Sequence, residues 1–306
     1  MTDRLIEIVP DRDRVSGFIL RIDGTDQSYV DLDDPTLLEF DYVRRIADVI
    51  DAHGKPGETL RFVHIGGAGM TLPRYVSATR PRSPQIVLEP DEAVTELLRD
   101  RLPLPRNSGI KVRPIDGRTG LAAMRPDFAD IIVLDAFDGA RIPAELVTAE
   151  FFERAATVLL DDGLLLLNLA DRAPFAYVRR VLRGVCDRFP NVMISAEPAT
   201  LKCRRFCNLL VVASRGPIPW ETLARRAASS PLPYRVLPYR EVVDRFAGGT
   251  PFTDPDTEMS PAPPGRTSQR PYMPKVAAES KVSRRTACSK VIACFSRTHS
   301  PKILVR

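Results

Sequence analysis

From Leu60 onwards, short apolar runs alternate with amphipathic stretches of helical spacing. Continuous apolar strands that alternate with helices indicate a parallel sheet covered on both faces. The last two runs are too close for a parallel crossover, so they predict an antiparallel hairpin at the sheet edge. The pattern therefore predicts an α/β fold with a seven-stranded, mostly parallel, Rossmann-like sheet. The predicted strands are RFVHIG, QIVLEP, KVRPID, DIIVLD, GLLLLNLA, NVMISAEP and NLLVVAS, with helices near 70–79, 91–101, 117–125, 143–160 and 174–188.

Seven strands that end in such a hairpin resemble the layout of the class I S-adenosylmethionine-dependent methyltransferase fold. A plain dinucleotide-binding fold has no terminal hairpin. The expected domain is therefore a methyltransferase-like α/β domain over residues 36–249.

The segments on either side of this region have different patterns. Residues 1–35 contain the alternating runs RLIEIV, GFILRI and QSYVDL between Asp, Gly and Pro clusters, which predicts a small N-terminal β-hairpin region. Helical spacing follows from Thr36 to Ala52, after Asp34 and Pro35. Residues 217–248 add helices around Trp220–Ala228 and Tyr239–Phe246.

Residues 250–306 have no periodicity and many Pro, Ser and Thr residues, so we expect a disordered tail. Residues 260–306 carry ten Lys or Arg and one acid, a charge of +9. The whole chain carries +5, so residues 1–259 carry −4, and the basic balance belongs to the tail. A solvated tail needs no nucleic-acid partner, and we expect none.

The chain has no run of roughly 20 apolar residues and no signal peptide, so we expect a cytoplasmic protein that does not enter a membrane. Its five cysteines do not form a disulfide framework, and reduced thiols are expected. Cys203 and Cys207 are four residues apart, but no second Cys or His pair stands at zinc-ligand spacing. We expect no metal.

Glycines and carboxylates stand where the first three predicted strands of the sheet end. In an open parallel sheet these ends meet at the crevice where ligands bind. Glu89 follows the second strand, 22 residues after Gly67, where an acid binds ribose hydroxyls; the alternative is a helix N-terminus. Asp116, with Gly117, could meet an adenine amino group or could cap the next helix. The glycines of the first turn, which let the backbone approach a ligand, are Gly66, Gly67 and Gly69.

Asp135 ends the fourth strand, and Asp138 follows it in a loop. Burial and a nearby like charge raise the pKa of a carboxyl group, which suits a general base for an amine or hydroxyl nucleophile. A structural aspartate at a strand end is the alternative.

These residues resemble the spermidine synthases, or polyamine aminopropyltransferases, over residues 15–214 and best over 61–152. HIGGAGMTL is similar to the family's GGGDGGTL turn, VLEPDEAV to its VEID segment and PIDGRTG to its GDG segment. DIIVLDAFDGARIPAELVTAEFF resembles the stretch built on DSSDP, and LLEFDYVRR resembles the substrate segment with its DEF-Tyr-His-Glu pattern.

The resemblance implies S-adenosylmethionine or its decarboxylated form as donor and a small amine as acceptor. It implies that Glu89 binds the ribose, Asp116 the adenine and Asp138 the amine. Asp135 would be the catalytic base, and Tyr42 would line the acceptor pocket. The sequence is compatible with a homodimer.

Three departures keep alternatives open. Ala68 replaces the family's glycine-loop aspartate, Val43 replaces its histidine, and AEPATLKCRRFCN replaces its tyrosine-containing loop. Unpaired buried charges are unfavourable, so a dicationic acceptor needs several carboxylates. The chain is therefore expected to transfer an aminopropyl group, with methyl transfer or non-catalytic nucleoside binding as alternatives.

Overall fold

The computed structural model describes residues 4–202, 206–246 and 248–264. The described N-terminal part forms a three-stranded antiparallel sheet in the order β1-β2-β3. Its strands are β1 (Ile6–Pro10), β2 (Gly17–Ile22) and β3 (Thr25–Asp31). Leu20, Ile22 and Val30 of this sheet share one hydrophobic cluster with Met70 and Val94 of the α/β domain. The predicted hairpin region is therefore packed against the domain that contains the candidate site.

The central sheet has eight strands, in the order β11-β9-β10-β8-β7-β4-β5-β6. Strands β6, β5, β4, β7 and β8 are parallel, whereas β10 pairs antiparallel with both β8 and β9. The predicted terminal hairpin is therefore present. The bounds are β4 (Phe62–Ile65), β5 (Gln85–Leu88), β6 (Ile110–Arg113), β7 (Ala129–Leu134), β8 (Leu159–Asp171), β9 (Asn191–Ala196), β10 (Cys207–Ser214) and β11 (Arg235–Leu237).

The prediction of seven strands is wrong by one, because β11 was not expected. This strand pairs antiparallel with β9 at the sheet edge and has only three residues. Pro233 and Pro238 stand close to its two ends, and three residues are too few to give a strand periodicity.

Helices cover both faces of the sheet. Alternate residues of a strand point to opposite faces, so Ile132 and Leu134 of β7 join one cluster, whereas Ile131 and Val133 join the other. The helices are α1 (Asp41–Ala52), α2 (Thr71–Thr79), α3 (Glu92–Arg101), α4 (Gly117–Ala122), α5 (Ala149–Val158), α6 (Ala176–Cys186), α7 (Pro198–Leu201), α8 (Trp220–Ser229) and α9 (Tyr239–Phe246), with a short 3-10 helix at Ala144–Leu146.

The first helix begins later than predicted, at Asp41 and not at Thr36. Asp34 accepts the backbone N–H and the hydroxyl of Thr36, and this local turn replaces the first helical turn. The later start places Phe40 and Tyr42 at the N-terminus of the helix, where both line the candidate site.

Residues 250–264, which we name the C-terminal strap, are ordered against the α/β domain. Phe252 is fully buried, its carbonyl accepts the Ala149 N–H at 2.8 Å, and its ring contacts Tyr177 and lies 3.9 Å from the Arg180 guanidinium. The prediction that disorder starts at residue 250 is therefore wrong for the strap. A proline-rich segment without periodicity can still be fixed by a few buried anchors, here Phe252 and Ser260. The remainder of the predicted tail, 265–306, lies outside the described residues.

None of the helices within the described ranges is both long enough and apolar enough to span a bilayer.

We expect Phe252→Ala to lower the free energy of unfolding by about 3–5 kcal/mol, because it empties a fully buried aromatic site. Urea denaturation of the full chain measures this change. Tyr239→Ala, at a ring that is 45% exposed, is the control and should lower it by less than about 1 kcal/mol. Equal small losses in both variants would contradict an ordered strap.

Candidate active site

The glycine turn after β4 is pressed against the end of β7. Gly66 has φ +90°, and a Cβ at this position would overlap the carbonyl oxygen of Asp135. Its N–H donates to the Leu88 carbonyl of β5 at 3.0 Å. Only glycine fits this contact, which joins the carboxyl ends of three neighbouring strands.

Glu89 holds the glycine turn from the end of β5. Its Oε2 accepts the backbone N–H groups of Gly67 at 2.9 Å and Ala68 at 3.2 Å, and its Oε1 accepts the Asp91 N–H at 3.0 Å. A carboxylate offers about four acceptor positions, so Glu89 retains capacity for a ligand hydroxyl. The same side chain thus orders the turn and lines the cavity beside it.

Gly69 has a different role from the one predicted. Its N–H donates to the Ser28 hydroxyl of β3 at 3.0 Å, and it is absent from the lining of the cavity. A Cβ here would lie 2.7 Å from Ser28 Cβ, so the small residue lets the N-terminal sheet approach the turn. Gly69 therefore shapes the site without lining it.

Asp116 caps helix α4, which was one of its two predicted roles. Its Oδ1 accepts the Thr119 N–H at 2.8 Å, and this backbone hydrogen bond is the main reason why the pKa of Asp116 is lowered. Asp116 also lines the cavity, beside Gly117. A Cβ on Gly117 would overlap the Ile65 side chain, so glycine is required there. Contact with an adenine group stays a prediction.

The cavity between these elements has a volume of about 430 Å³. It contains eight of the nine predicted site residues, so the strand-end residues do converge as expected: Tyr42, Gly66, Gly67, Glu89, Asp116, Gly117, Asp135 and Asp138. Val43 and Ala68, the two departures from the family pattern, line the same cavity. Arg4, which the sequence analysis missed, also lines it, and its Nη1 lies 3.3 Å from Asp91 Oδ2.

Asp135 follows β7 and is enclosed by polar partners. Asn168 Nδ2 of β8 donates to its Oδ1 at 2.8 Å, and the Tyr42 hydroxyl interacts with the same carboxylate. Burial raises the pKa of Asp135 to about 6, while the hydrogen bonds from Asn168 and Tyr42 lower it. Burial, together with the Asp135 charge, raises the pKa of Tyr42 well above its ordinary value. Asp135 is therefore a carboxylate at neutral pH, and it accepts a proton more readily than an exposed aspartate does.

A second cavity of about 610 Å³ adjoins the first. The two share four residues, Gln27, Phe40, Tyr42 and Phe137, and Asn168 lines only the second. Asn168 is 1% exposed, and its Oδ1 is a buried acceptor without a partner. The Asn168 Nδ2 group thus donates to Asp135, and the Asn168 Oδ1 atom can still accept a hydrogen bond.

Sequence reasoning missed Asn168, although one signal was present. It is the single polar residue in the run GLLLLNLA, where a continuous apolar strand was expected. Its importance depends on the β7–β8 pairing, which brings residues 33 positions apart into contact.

Asp138 lies near Asp135 but is exposed. Its backbone pairs with Arg141 through two hydrogen bonds of 2.8 and 3.0 Å, which close a tight turn after β7. Asp138 lines the first cavity and not the second. Its predicted contact with an amine stays a prediction.

The raised pKa of Asp135 predicts how stability depends on pH. Between the unfolded value near 3.8 and the folded value of about 6, the native state binds more protons than the unfolded state. The free energy of unfolding that Asp135 contributes therefore falls as the pH rises through this window. We expect Asp135→Asn to gain stability relative to the wild type between pH 4 and pH 7, measured by urea denaturation at each pH. A constant difference between the two proteins would contradict the raised pKa.

No protein-family model matches the chain. A polyamine aminopropyltransferase from Chromobacterium violaceum is 27% identical over 209 residues, which cover 66% of this chain and 75% of the relative. Its counterpart from Vibrio vulnificus is 27% identical over 161 residues and covers 52% of this chain and 53% of the relative.

Solved structures give a more extensive similarity. A probable spermidine synthase from Corynebacterium glutamicum has a TM-score of 0.76 and is 29% identical. The aligned region covers 83% of this chain and 94% of the chain of that structure. The spermidine synthase of Thermotoga maritima, with a TM-score of 0.53 and 18% identity over 81% of this chain and 82% of its own, shares the fold. The chain is thus similar to spermidine synthases over most of its length, and it has a methyltransferase-like fold.

Proposed function

We propose that this protein transfers an aminopropyl group from decarboxylated S-adenosylmethionine to an amine, with Asp135 as the general base. The observation that carries this proposal is the position of Asp135, whose pKa is raised to about 6: it lines the first cavity and accepts a hydrogen bond from Asn168, in the wall of the adjoining second cavity. One cavity has the acids and glycines suited to a nucleoside, and the other offers room for a second substrate. The names of the related enzymes agree with this reaction.

The first cavity is proposed to bind the donor. Glu89 accepts the ribose hydroxyls with its remaining acceptor capacity, and Asp116 meets the adenine amino group. Gly66 and Gly67 allow the ligand to approach the backbone closely. The cavity volume of about 430 Å³ falls within the range of small-molecule sites.

The second cavity is proposed to bind the acceptor amine, with Tyr42 and Asn168 in its wall. The neutral nitrogen attacks the methylene carbon next to the sulfonium, a C–N bond forms, and the C–S bond breaks to release methylthioadenosine. The proton lost from nitrogen passes to Asp135. Alkylammonium groups have pKa values near 10, so the nitrogen must lose a proton to react, and the Asp135 carboxylate can accept a proton as the C–N bond forms.

Methyl transfer from S-adenosylmethionine is a second candidate, favoured by the lining of the first cavity. Ala68 offers no charge there, and the Arg4 guanidinium would suit a donor that carries a carboxylate. Calorimetric titration with S-adenosylmethionine and with its decarboxylated form separates the two candidates. Tighter binding of the form with the carboxylate would favour methyl transfer. Non-catalytic nucleoside binding is less well supported, because the candidate base keeps its half-buried, hydrogen-bonded setting.

We expect Asp135→Asn to lower kcat/KM for aminopropyl transfer by about 10²–10⁴-fold, the usual contribution of a positioned base. The affinity for methylthioadenosine, measured by calorimetry, should change less than about threefold, because Asp135 acts on the acceptor. Asp127→Asn, an exposed aspartate before the same strand, should match the wild type. Full activity of Asp135→Asn would refute the assignment of the base.

The pH profile tests the setting of the base. In the wild type, kcat/KM should rise with pH through an apparent pKa of about 6, as Asp135 ionises. Asn168→Ala removes a hydrogen bond that lowers this pKa, so the acidic limb should move to higher pH. Asn191→Ala, at the start of β9 and far from both cavities, should leave the limb in place. An unmoved limb in Asn168→Ala would contradict the role of Asn168.

A further inference from the structure

The C-terminal strap reaches both cavities within five residues. Met259 lines the first cavity, and Ala262 and Pro263 line the second. Ser260, between them, is fully buried. The strap therefore contributes part of the wall on the donor side and part of the wall on the acceptor side.

Ser260 is joined to the loop that leaves Asp135. Its Oγ accepts the Ile142 N–H at 2.9 Å, and its own N–H donates to the Ile142 carbonyl at 3.2 Å. Arg141 donates to the carbonyls of Ser260 at 2.5 Å and Met259 at 3.2 Å. Four hydrogen bonds thus fix the register between the strap and the loop that follows the proposed base.

The earlier part of the strap is anchored mainly by residues that lie outside both cavities. Phe252 is buried, Arg118 pairs with Asp254, and Arg180 Nη2 lies 2.6 Å from Asp256 Oδ2. The Thr257 hydroxyl donates to the Ala144 carbonyl at 2.8 Å. These contacts hold the strap in place, so the residues that follow are presented to the cavities from a fixed base.

We infer that residues 259–263 are part of the substrate site. Met259 packs against the donor, and Ala262 and Pro263 pack against the acceptor. This inference rests on the proposed function and adds a binding element to it. Ser260 and Arg141 are positioning residues, since they act through the strap.

The chemistry that the strap offers is uncharged. A thioether, a methyl group and a pyrrolidine ring have no charge to pair with an ammonium group, but they pack well against methylene groups. The strap therefore recognises the alkyl part of the acceptor and limits its length. Charged groups of the substrates are left to the acids in the other walls, such as Glu89 and Asp116 in the first cavity and Asp23 and Asp26 in the second.

Acceptor length tests this inference in the full chain. Ala262→Leu fills part of the second cavity, so it should raise KM for long alkylamines at least fivefold more than for short ones, with kcat changed less than twofold. Ser260→Ala removes the hydrogen bond from Ile142 that helps to fix the register of the strap. It should raise KM at least fivefold for both short and long alkylamines. Asp256→Asn is the matched control, since it weakens one strap ion pair, with Arg180, and neither residue lines a cavity. KM values equal to those of the control in both variants would overturn the acceptor half.

Donor binding provides a readout that does not need turnover. Met259→Ala should weaken methylthioadenosine binding at least threefold in calorimetry, and the nucleoside should slow hydrogen exchange of the Ser260 amide in the wild type. An unchanged affinity together with unchanged exchange would overturn the donor half.

The failure of the proposed function has a different signature. A wild type that binds methylthioadenosine but transfers no aminopropyl group to any amine would refute the proposed reaction. The donor half of the inference is then decided by Met259→Ala and the exchange of Ser260. The acceptor half, which requires an amine substrate, is then overturned together with the reaction. A wild type that binds no nucleoside overturns both proposals.

Discussion

The close approach of the glycine turn to the end of β7 is the constraint on which the site depends. With no side chain at Gly66, the turn rests on the Asp135 carbonyl and donates to Leu88 of β5. Glu89 accepts hydrogen bonds from the N–H groups of Gly67 and Ala68, so an acid at the end of β5 fixes the turn at the end of the neighbouring β4. Any larger residue at Gly66 would separate the strand ends, and with them the groups that face the two cavities.

The setting of Asp135 reflects opposing effects. Burial raises the pKa of its carboxyl group, whereas Asn168 and Tyr42 stabilise the charged form. The resulting pKa is about 6, so the group accepts a proton more readily than an exposed aspartate and is still ionised at neutral pH. This setting reduces stability, because a neutral side chain in the same position would avoid the desolvation of a charge.

The sequence predicted most of the fold, because buried parallel strands are continuous apolar runs whose ends are marked by glycines and acids. It could not predict β11, whose three residues carry no periodicity, or the late start of α1, which a local Asp34 turn decides. Eight of the nine predicted site residues line one cavity, and for the strand-end residues among them the strand order brings them together. Asn168 and the strap were missed because their roles come from contacts between residues 33 and 118 positions apart.

The pairing of Ser260 with Ile142 has a consequence for the order in which the site forms during synthesis. The sheet core from β4 to β8 is complete once residue 171 has left the ribosome, so the strand ends can meet early. The part of the cavity walls that the strap forms is synthesised about 90 residues later. Met259, Ala262 and Pro263 are the last residues in the chain among those that line the cavities. A nascent chain would therefore have an open crevice at the strand ends, and the strap would complete its wall last.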